Sequence, residues 1–468
     1  MTTQEQVKDV VSQVLADKAD KGGIKRVVWI GAGGSNGGNY PAQYFMEHEA
    51  TQVVSSSYTS NEFVHATPAY VNENTLAVVV SMRGTKETIV AAQVAKDHGA
   101  STIAIYVDES GLTEVCDYKI QYDSLAVDES CMGRTNSAVV TMIAMELTQQ
   151  TEGYAEYETA MAAFDLVDPI YRKAVEYTRP LAAKWAEQNA DKPCINVMAQ
   201  GPLFGAAYVN ENTLAVVVSM RGTKETIVAA QVAKDHGAST IAIYVDESGL
   251  TEVCDYKIQY DSLAVDESCM GRTNSAVVTM IAMELTQQTE GYAEYETAMA
   301  AFDLVDPIYR KAVEYTRPLA AKWAEQNADK PCINVMAQGP LFGAAYVFSI
   351  CNVQEMLQID SCTINTCDFF HGPFEILDKR TSLFQLISVG RSRCNDERGI
   401  RFVNQYGGER VYQLDAKELG LNDIKDSVSE YFNHLIFAPI LNNVYMRALS
   451  AVTHKDYMTR RYMWKLDY

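Results

Sequence analysis

The sequence predicts an α/β protein built on doubly wound parallel sheets. Three observations carry that prediction. Short apolar runs such as Arg26–Ile30 (RVVWI) and Thr75–Val80 (TLAVVV) alternate with segments of helical period. Each of these two runs leads into a loop rich in glycine or hydroxyls and then into a helix. In that geometry backbone N–H groups and a helix N-terminus converge on an anion. Finally, residues 69–206 recur without substitution as residues 207–344, each stretch 138 residues long.

That identity sets the organisation. Solenoid repeats are about 20–50 residues long and drift apart. A perfect copy of this length marks a recent tandem duplication, an assembly error or a deliberate insertion. Without one copy the chain has 330 residues, in which Ala206 runs directly into Ala345. At roughly 100–200 residues per domain, the shorter chain holds two domains and the full one three.

A hydrophobic content of 47% is that of a chain with a real core. Net charge is −21, but each copy carries 19 acidic and 10 basic residues, so the shorter chain stands at −12. Nucleic acid, which needs a basic footprint, is excluded as a partner. Anionic small molecules are not, because a pocket can be positive on an acidic protein. Of ten cysteines, six are three positions counted twice, and neither a C-x-x-C nor a zinc-type Cys/His spacing occurs. The amphipathic start lacks a signal-peptide core, and no run nears 18 apolar residues. The expectation is a soluble, reduced, cytoplasmic protein with no membrane partner.

Gln4–Asp20 places Val7, Val10, Val11, Val14 and Leu15 on one helical face. The strand Arg26–Ile30 is followed by GAGGSNGGN and a helix at Pro41–His48. This loop lacks the dinucleotide fingerprint with its later acidic residue, and by itself it reads equally well as a tight turn. Thr51–Ser57 is a second strand. Thr75–Val80 runs into Ser81-Met82-Arg83-Gly84-Thr85-Lys86-Glu87-Thr88, and a helix over Glu87–His98 is closed by Gly99. Two such loops after two parallel strands can close on one phosphate. Strands follow at Thr102–Val107 and Asp117–Gln121, then helices at Ser137–Gln150 and Glu156–Gln188. Cys194–Met198 opens a second α/β domain. Its remaining elements lie beyond residue 344: a helix at Ala345–Leu357, the segment Asp360–Phe370 leading to His371-Gly372-Pro373, strands at Leu383–Val389 and Arg410–Leu414 around a helix at Asp396–Tyr406, and helices around Asp426–His434 and Ile436–Ala451.

Two α/β halves with S-x-x-G-T-K-E-T after a strand resemble the sugar isomerase (SIS) family of phosphosugar-binding domains. Glu355 and His371 stand 16 apart, the latter in F-H-G-P-F-E. That spacing is similar to the Glu/His-Gly-Pro arrangement of fructosamine-6-phosphate deglycases, and the ending Arg460-Arg461-Tyr462 with Asp467-Tyr468 strengthens the likeness. The resemblance spans all 330 unique residues and implies two flavodoxin-like SIS domains, with the duplicated partial domain inserted between them. The divisions are then 1–190, 207–330 and 331–468. The loop departs from the usual S-x-S-G-x-T pattern: Arg83 stands where a hydroxyl is common, and Thr85 falls one position early.

The resemblance implies a deglycase acting on a 6-phosphorylated Amadori compound, such as fructoselysine 6-phosphate, with no metal or organic cofactor. Such chemistry needs a base for the C1 proton and an acid near O2. Glu355 is assigned as base and His371 as acid or ring-opening group. An isolated Glu355 would be a solvated helix charge, and an isolated His371 a turn residue; the family spacing raises both. Ser35, Ser81, Arg83, Gly84, Thr85 and Thr88 are the phosphate and sugar-hydroxyl candidates, although Arg83 could equally pair with Glu87. Glu129 and Ser130 are weaker binding candidates, and Arg461 in the tail either closes over the site or packs the tail. A homodimer is implied by resemblance. The rivals are an aldose–ketose isomerase or deaminase of an amino-sugar phosphate using the same pair, and a non-catalytic phosphosugar sensor.

The duplication repeats the second loop as Ser219, Arg221, Thr223 and Thr226, but supplies neither a second Arg26–Ile30 strand nor a second Glu/His pair. One copy alone completes the first domain, and only copy two is joined directly to Glu355 and His371. The expectation is an incomplete middle domain with an exposed sheet edge, or a swap in which the N-terminal strand joins copy two.

Overall fold

The computed structural model describes residues 2–122, 136–189, 209–260, 274–463 and 465–466. The chain divides into two compact units, Met1–Tyr208 and Val209–Tyr468.

The first unit opens with α1 (Thr3–Lys18). A capping box starts it: Thr2 Oγ1 accepts from Glu5 N–H, while Thr2 N–H donates to the Glu5 carboxylate at 2.7 Å. Val7, Val11 and Val14 are its buried face. There follow β1 (Arg26–Gly31), α2 (Gly34–Gly37), α3 (Tyr40–Glu49), β2 (Val54–Thr59), α4 (Ser60–His65), β3 (Thr75–Val80), α5 (Lys86–Asp97), β4 (Ser101–Tyr106), α6 (Gly111–Val115), β5 (Tyr118–Gln121), α7 (Asn136–Glu152) and α8 (Tyr157–Asn189). The five strands are all parallel, in the order β2-β1-β3-β4-β5. β1 and β3 sit side by side in register, Arg26 opposite Thr75 and Gly31 opposite Val80. All six residues of β3 are buried, as a central strand covered on both faces requires. The second strand begins at Val54, three residues later than the sequence suggests; the exposed Val54 and the half-buried Ser56, Ser57 and Tyr58 show that it is an edge, where apolar patterning is weak.

The second unit begins with β6 (Leu214–Val218), α9 (Lys224–Asp235), β7 (Ser239–Tyr244), α10 (Gly249–Val253), β8 (Tyr256–Gln259), α11 (Asn274–Thr289) and α12 (Tyr295–Asn327). These repeat the local structure of β3 through α8 element for element. The resulting sheet has only three strands, β6-β7-β8, and no described strand pairs with the outer edge of β6. Next come β9 (Cys332–Ala337), α13 (Phe342–Val347) continued by a π-helical stretch Phe348–Met356, β10 (Asp360–Asn365), β11 (Leu383–Ile387), α14 (Arg393–Tyr406), β12 (Val411–Asp415), α15 (Asp426–Ser429), α16 (Asn433–Ile440), a second π-helical stretch Leu441–Met446 and α17 (Arg447–Thr453). Their parallel sheet has the order β10-β9-β11-β12. Cys194–Met198 lies outside the described residues; its identical counterpart is β9.

The core of this second sheet is built largely on α12. Trp323 is fully buried and meets Phe348, Phe384 and Tyr445 at ring separations of 6.1, 5.2 and 5.5 Å. Tyr309 is equally buried and accepts from Asn443 through its hydroxyl at 3.0 Å. The stretch Asp426–Thr453 is long and apolar enough to cross a membrane by length and composition, but Leu435, Ile436, Phe437, Ile440 and Leu441 belong to this core.

Candidate functional site

In the first unit the two loops leave the C-terminal ends of neighbouring strands, β1 and β3, where the order β2-β1-β3 reverses direction. Such a switch point is where open α/β sheets hold ligands. The β1 loop turns at Gly33 (φ +54°) into the single turn α2. Ser35 lies on this turn, half-buried, with its carbonyl accepting from Asn136 Nδ2 at 3.4 Å. The β3 loop is held from inside by hydroxyls. Ser81 is buried, and its Oγ accepts from Thr85 N–H at 3.1 Å. Thr88 is fully buried, with its Oγ1 2.8 Å from Ser60 Oγ and 2.7 Å from Thr85 Oγ1. Gly84 is left-handed (φ +66°), and a Cβ there would run into Ser110 Oγ.

The sequence candidates therefore divide by position. Ser81 and Thr88 shape the loop from beneath. Thr85 is exposed at the N-cap of α5; its side chain makes no capping hydrogen bond, and its carbonyl accepts from Thr88 N–H and Ile89 N–H, each at 3.0 Å. Arg83 turns outward: its side chain is 80% exposed, and its Nε pairs with Asp108 at 3.1 Å, not with Glu87. An ion pair so exposed contributes little to stability. Glu129 and Ser130 lie outside the described residues. The copied loop keeps the same bonds, Thr223 N–H to Ser219 Oγ at 3.2 Å, Thr223 to Thr226 at 2.6 Å and Arg221 to Asp246 at 2.9 Å.

The second unit carries Glu355 and His371. Glu355 lies near the end of the π-helical stretch Phe348–Met356, a form of helix frequent at functional sites. Its Oε1 accepts from Arg460 Nε at 2.7 Å, with Arg460 only 8% exposed. Arg461, the tail residue singled out from sequence, reaches Gln358 Oε1 at 3.2 Å instead. His371 ends a 3₁₀ turn, Phe369–His371, whose Phe369 and Phe370 pack against Phe374 and Phe402. Its Nε2 is buried without a hydrogen-bond partner. Buried polar atoms are seldom left so, which makes this nitrogen ready for a bound group. Glu355 and His371 do not hydrogen-bond to one another.

The second sheet has its own pair of switch-point loops, after β9 and β11, and the residue that fills the second of them comes from far along the chain. Gly390 is left-handed (φ +108°), and the buried Glu430 packs where its Cβ would stand. The Glu430 carboxylate accepts from the backbone N–H of Arg391 at 3.2 Å and from its Nε at 2.7 Å. An internal carboxylate thus occupies the position of an anion. Asp396, on α14, is fully buried and accepts from Gln338 Nε2, Ser388 N–H and Ser388 Oγ at 3.0, 2.9 and 2.6 Å. Burial lifts its carboxyl to about 6 despite these donors.

Parallel sheets whose loops meet at a switch point define a doubly wound α/β protein. Residues 23–149 match the SIS domain family. Fructosamine deglycase FrlB of Bacillus subtilis (strain 168) is 33% identical over 262 residues, 56% of this chain and 79% of that protein. Fructoselysine 6-phosphate deglycase of Escherichia coli (strain K12) is 27% identical over 201 residues, 42% of this chain and 56% of that relative. A solved phosphosugar isomerase candidate from Salmonella typhimurium LT2 aligns over 100% of this chain and 99% of its own, at 26% identity and a TM-score of 0.39. The chain belongs to the SIS-domain family, in the group that holds the fructosamine and fructoselysine 6-phosphate deglycases.

Proposed function

We propose that the protein is a deglycase cleaving a 6-phosphorylated Amadori compound to a hexose 6-phosphate and a free amine. The observation that carries this reading is Glu355, a partly buried carboxylate with one oxygen engaged by Arg460 and the other without a hydrogen bond among the described residues. It stands in a chain whose relatives include deglycases. The carboxylate removes a proton from C1. The C1–H electron pair forms the C1–C2 double bond, and the carbonyl oxygen at C2 takes a proton from His371, giving an enaminol. Protonation at C2 yields the imine, and water cleaves it to aldehyde and amine. Ser35 and Thr85 are the phosphate candidates of the first unit, where Ser81, Gly84 and Thr88 hold the β3 loop in shape. The family resemblance carries with it a cytoplasmic homodimer.

The test is release of glucose 6-phosphate from fructoselysine 6-phosphate by this chain and by a version lacking residues 207–344. Release by either supports the reading. Ammonia or a rearranged sugar as the only product from amino-sugar phosphates would favour the isomerase or deaminase alternative. In an active form, Glu355→Gln is expected to lower kcat about a thousandfold, within the range a general base supplies.

A further inference from the structure

The tail after α17 is fastened to the stretch that bears Glu355. His454 (φ +54°) ends α17, and the chain then turns back. Lys455 Nζ donates to the Gln358 carbonyl at 3.2 Å, Arg461 Nη2 to Gln358 Oε1 at 3.2 Å, and Arg460 Nε to Glu355 Oε1 at 2.7 Å. Gln358 itself sits at φ +55°, a left-handed conformation uncommon outside glycine. Two of the three fasteners are exposed, and exposed polar contacts of long side chains are weak. Arg460 differs. It is buried, and its Nη1 donates to the Tyr457 carbonyl at 2.6 Å, so the guanidinium is held on two sides. Tyr457 in turn packs on the core of the unit. The carboxylate is thereby oriented by a group anchored in the hydrophobic interior, not by a mobile surface cation.

We propose that Arg460 is a positioning residue for the base. It occupies Oε1, sets the carboxylate plane and leaves Oε2 to take the C1 proton. The inference rests on the reading of Glu355 as base. An arginine suits this place because its guanidinium stays charged and its planar fork bonds in fixed directions. It neither gives up nor takes the proton; that passes from C1 to Oε2 as the electron pair moves into the C1–C2 bond.

The experiment uses the full-length chain with fructoselysine 6-phosphate and compares Arg460→Gln, Arg460→Lys and Glu355→Gln. A misplaced reacting group costs about a hundredfold, so Arg460→Gln is expected to lose about that in kcat with KM within about threefold. Arg460→Lys keeps the cation without the fork and is expected to lose about tenfold. Added guanidinium ion is expected to restore part of the turnover of Arg460→Gln and none of Glu355→Gln, a response that a merely structural role would not give. Unchanged kcat in Arg460→Gln beside an inert Glu355→Gln overturns the role of Arg460 and leaves the base standing. Full activity in Glu355→Gln overturns the base itself. If Arg460→Gln fails to fold, Arg460→Lys decides: undiminished kcat there overturns the proposal. If the full-length chain turns over nothing, the same variants are compared in the version lacking residues 207–344, and silence from that version as well overturns both readings.

Discussion

Thr88 and Thr226 stand at the same place in identical sequence, yet their surroundings differ. Thr88 is fully buried against Ser60; Thr226 keeps only its bond to Thr223 and is partly exposed, because the repeat starts beyond any counterpart of Ser60. Thr88→Val strands the buried Ser60 hydroxyl and is expected to destabilise the first unit by about 1–2 kcal/mol. Thr226→Val is expected to stay within about 0.5 kcal/mol; urea unfolding of both variants checks the pair. Asp396 gives a second prediction at this scale. Burial makes the folded chain hold this proton more tightly than the unfolded chain does. The stability so contributed is complete below the ordinary aspartate value of about 3.9 and is lost as pH rises through about 6. Asp396→Asn is expected to flatten that slope in melting temperatures taken from acid to neutral pH. Glu355 and His371 are singled out in the sequence by the spacing they share with the family it resembles. The grip of Arg460 on Glu355 is not legible there, because 105 residues separate them and nothing local links the two.

Among elements, β3 and β6 make the same comparison. Their local structure is the same, including the capping boxes of α6 and α10. Burial is not: every residue of β3 is buried, whereas Leu214 and Val216 of β6 are each 37% exposed. β3 has β1 on one side and β4 on the other, and β6 has only β7. α7 and α11 repeat the contrast, Leu147 fully buried and Leu285 47% exposed. So do α8 and α12: Ile170 is 63% exposed, while its counterpart Ile308 is 3% exposed in the second core. Peptides covering 75–83 and 213–221 are identical in mass, so hydrogen exchange should give them one split isotope envelope, half protected and half exchanging quickly. A single narrow envelope would contradict the open edge of β6.

Across the whole molecule, the chain offers two seats for one N-terminal strand and two for one C-terminal half. The structure fills the first with copy one and the second with α12 of copy two. Removing residues 207–344 leaves α8, identical to α12, joined to the C-terminal half and removes the open three-stranded sheet. The expected result is a more soluble chain that resists limited proteolysis, read by gel filtration and digestion; equal aggregation and cleavage would show that the extra sheet carries no penalty. The sequence by itself determined the local structure of each copy, because helix caps, glycine turns and apolar runs act over a few residues and gave the same elements twice. It also carried the parallel α/β class and the Glu355–His371 spacing. The tertiary structure alone decided which copy is buried where, that Glu430 fills the second domain's loop and that Arg460 holds Glu355. Each of these depends on contacts between residues distant in the chain, where burial and partner geometry, not local preference, set the energy.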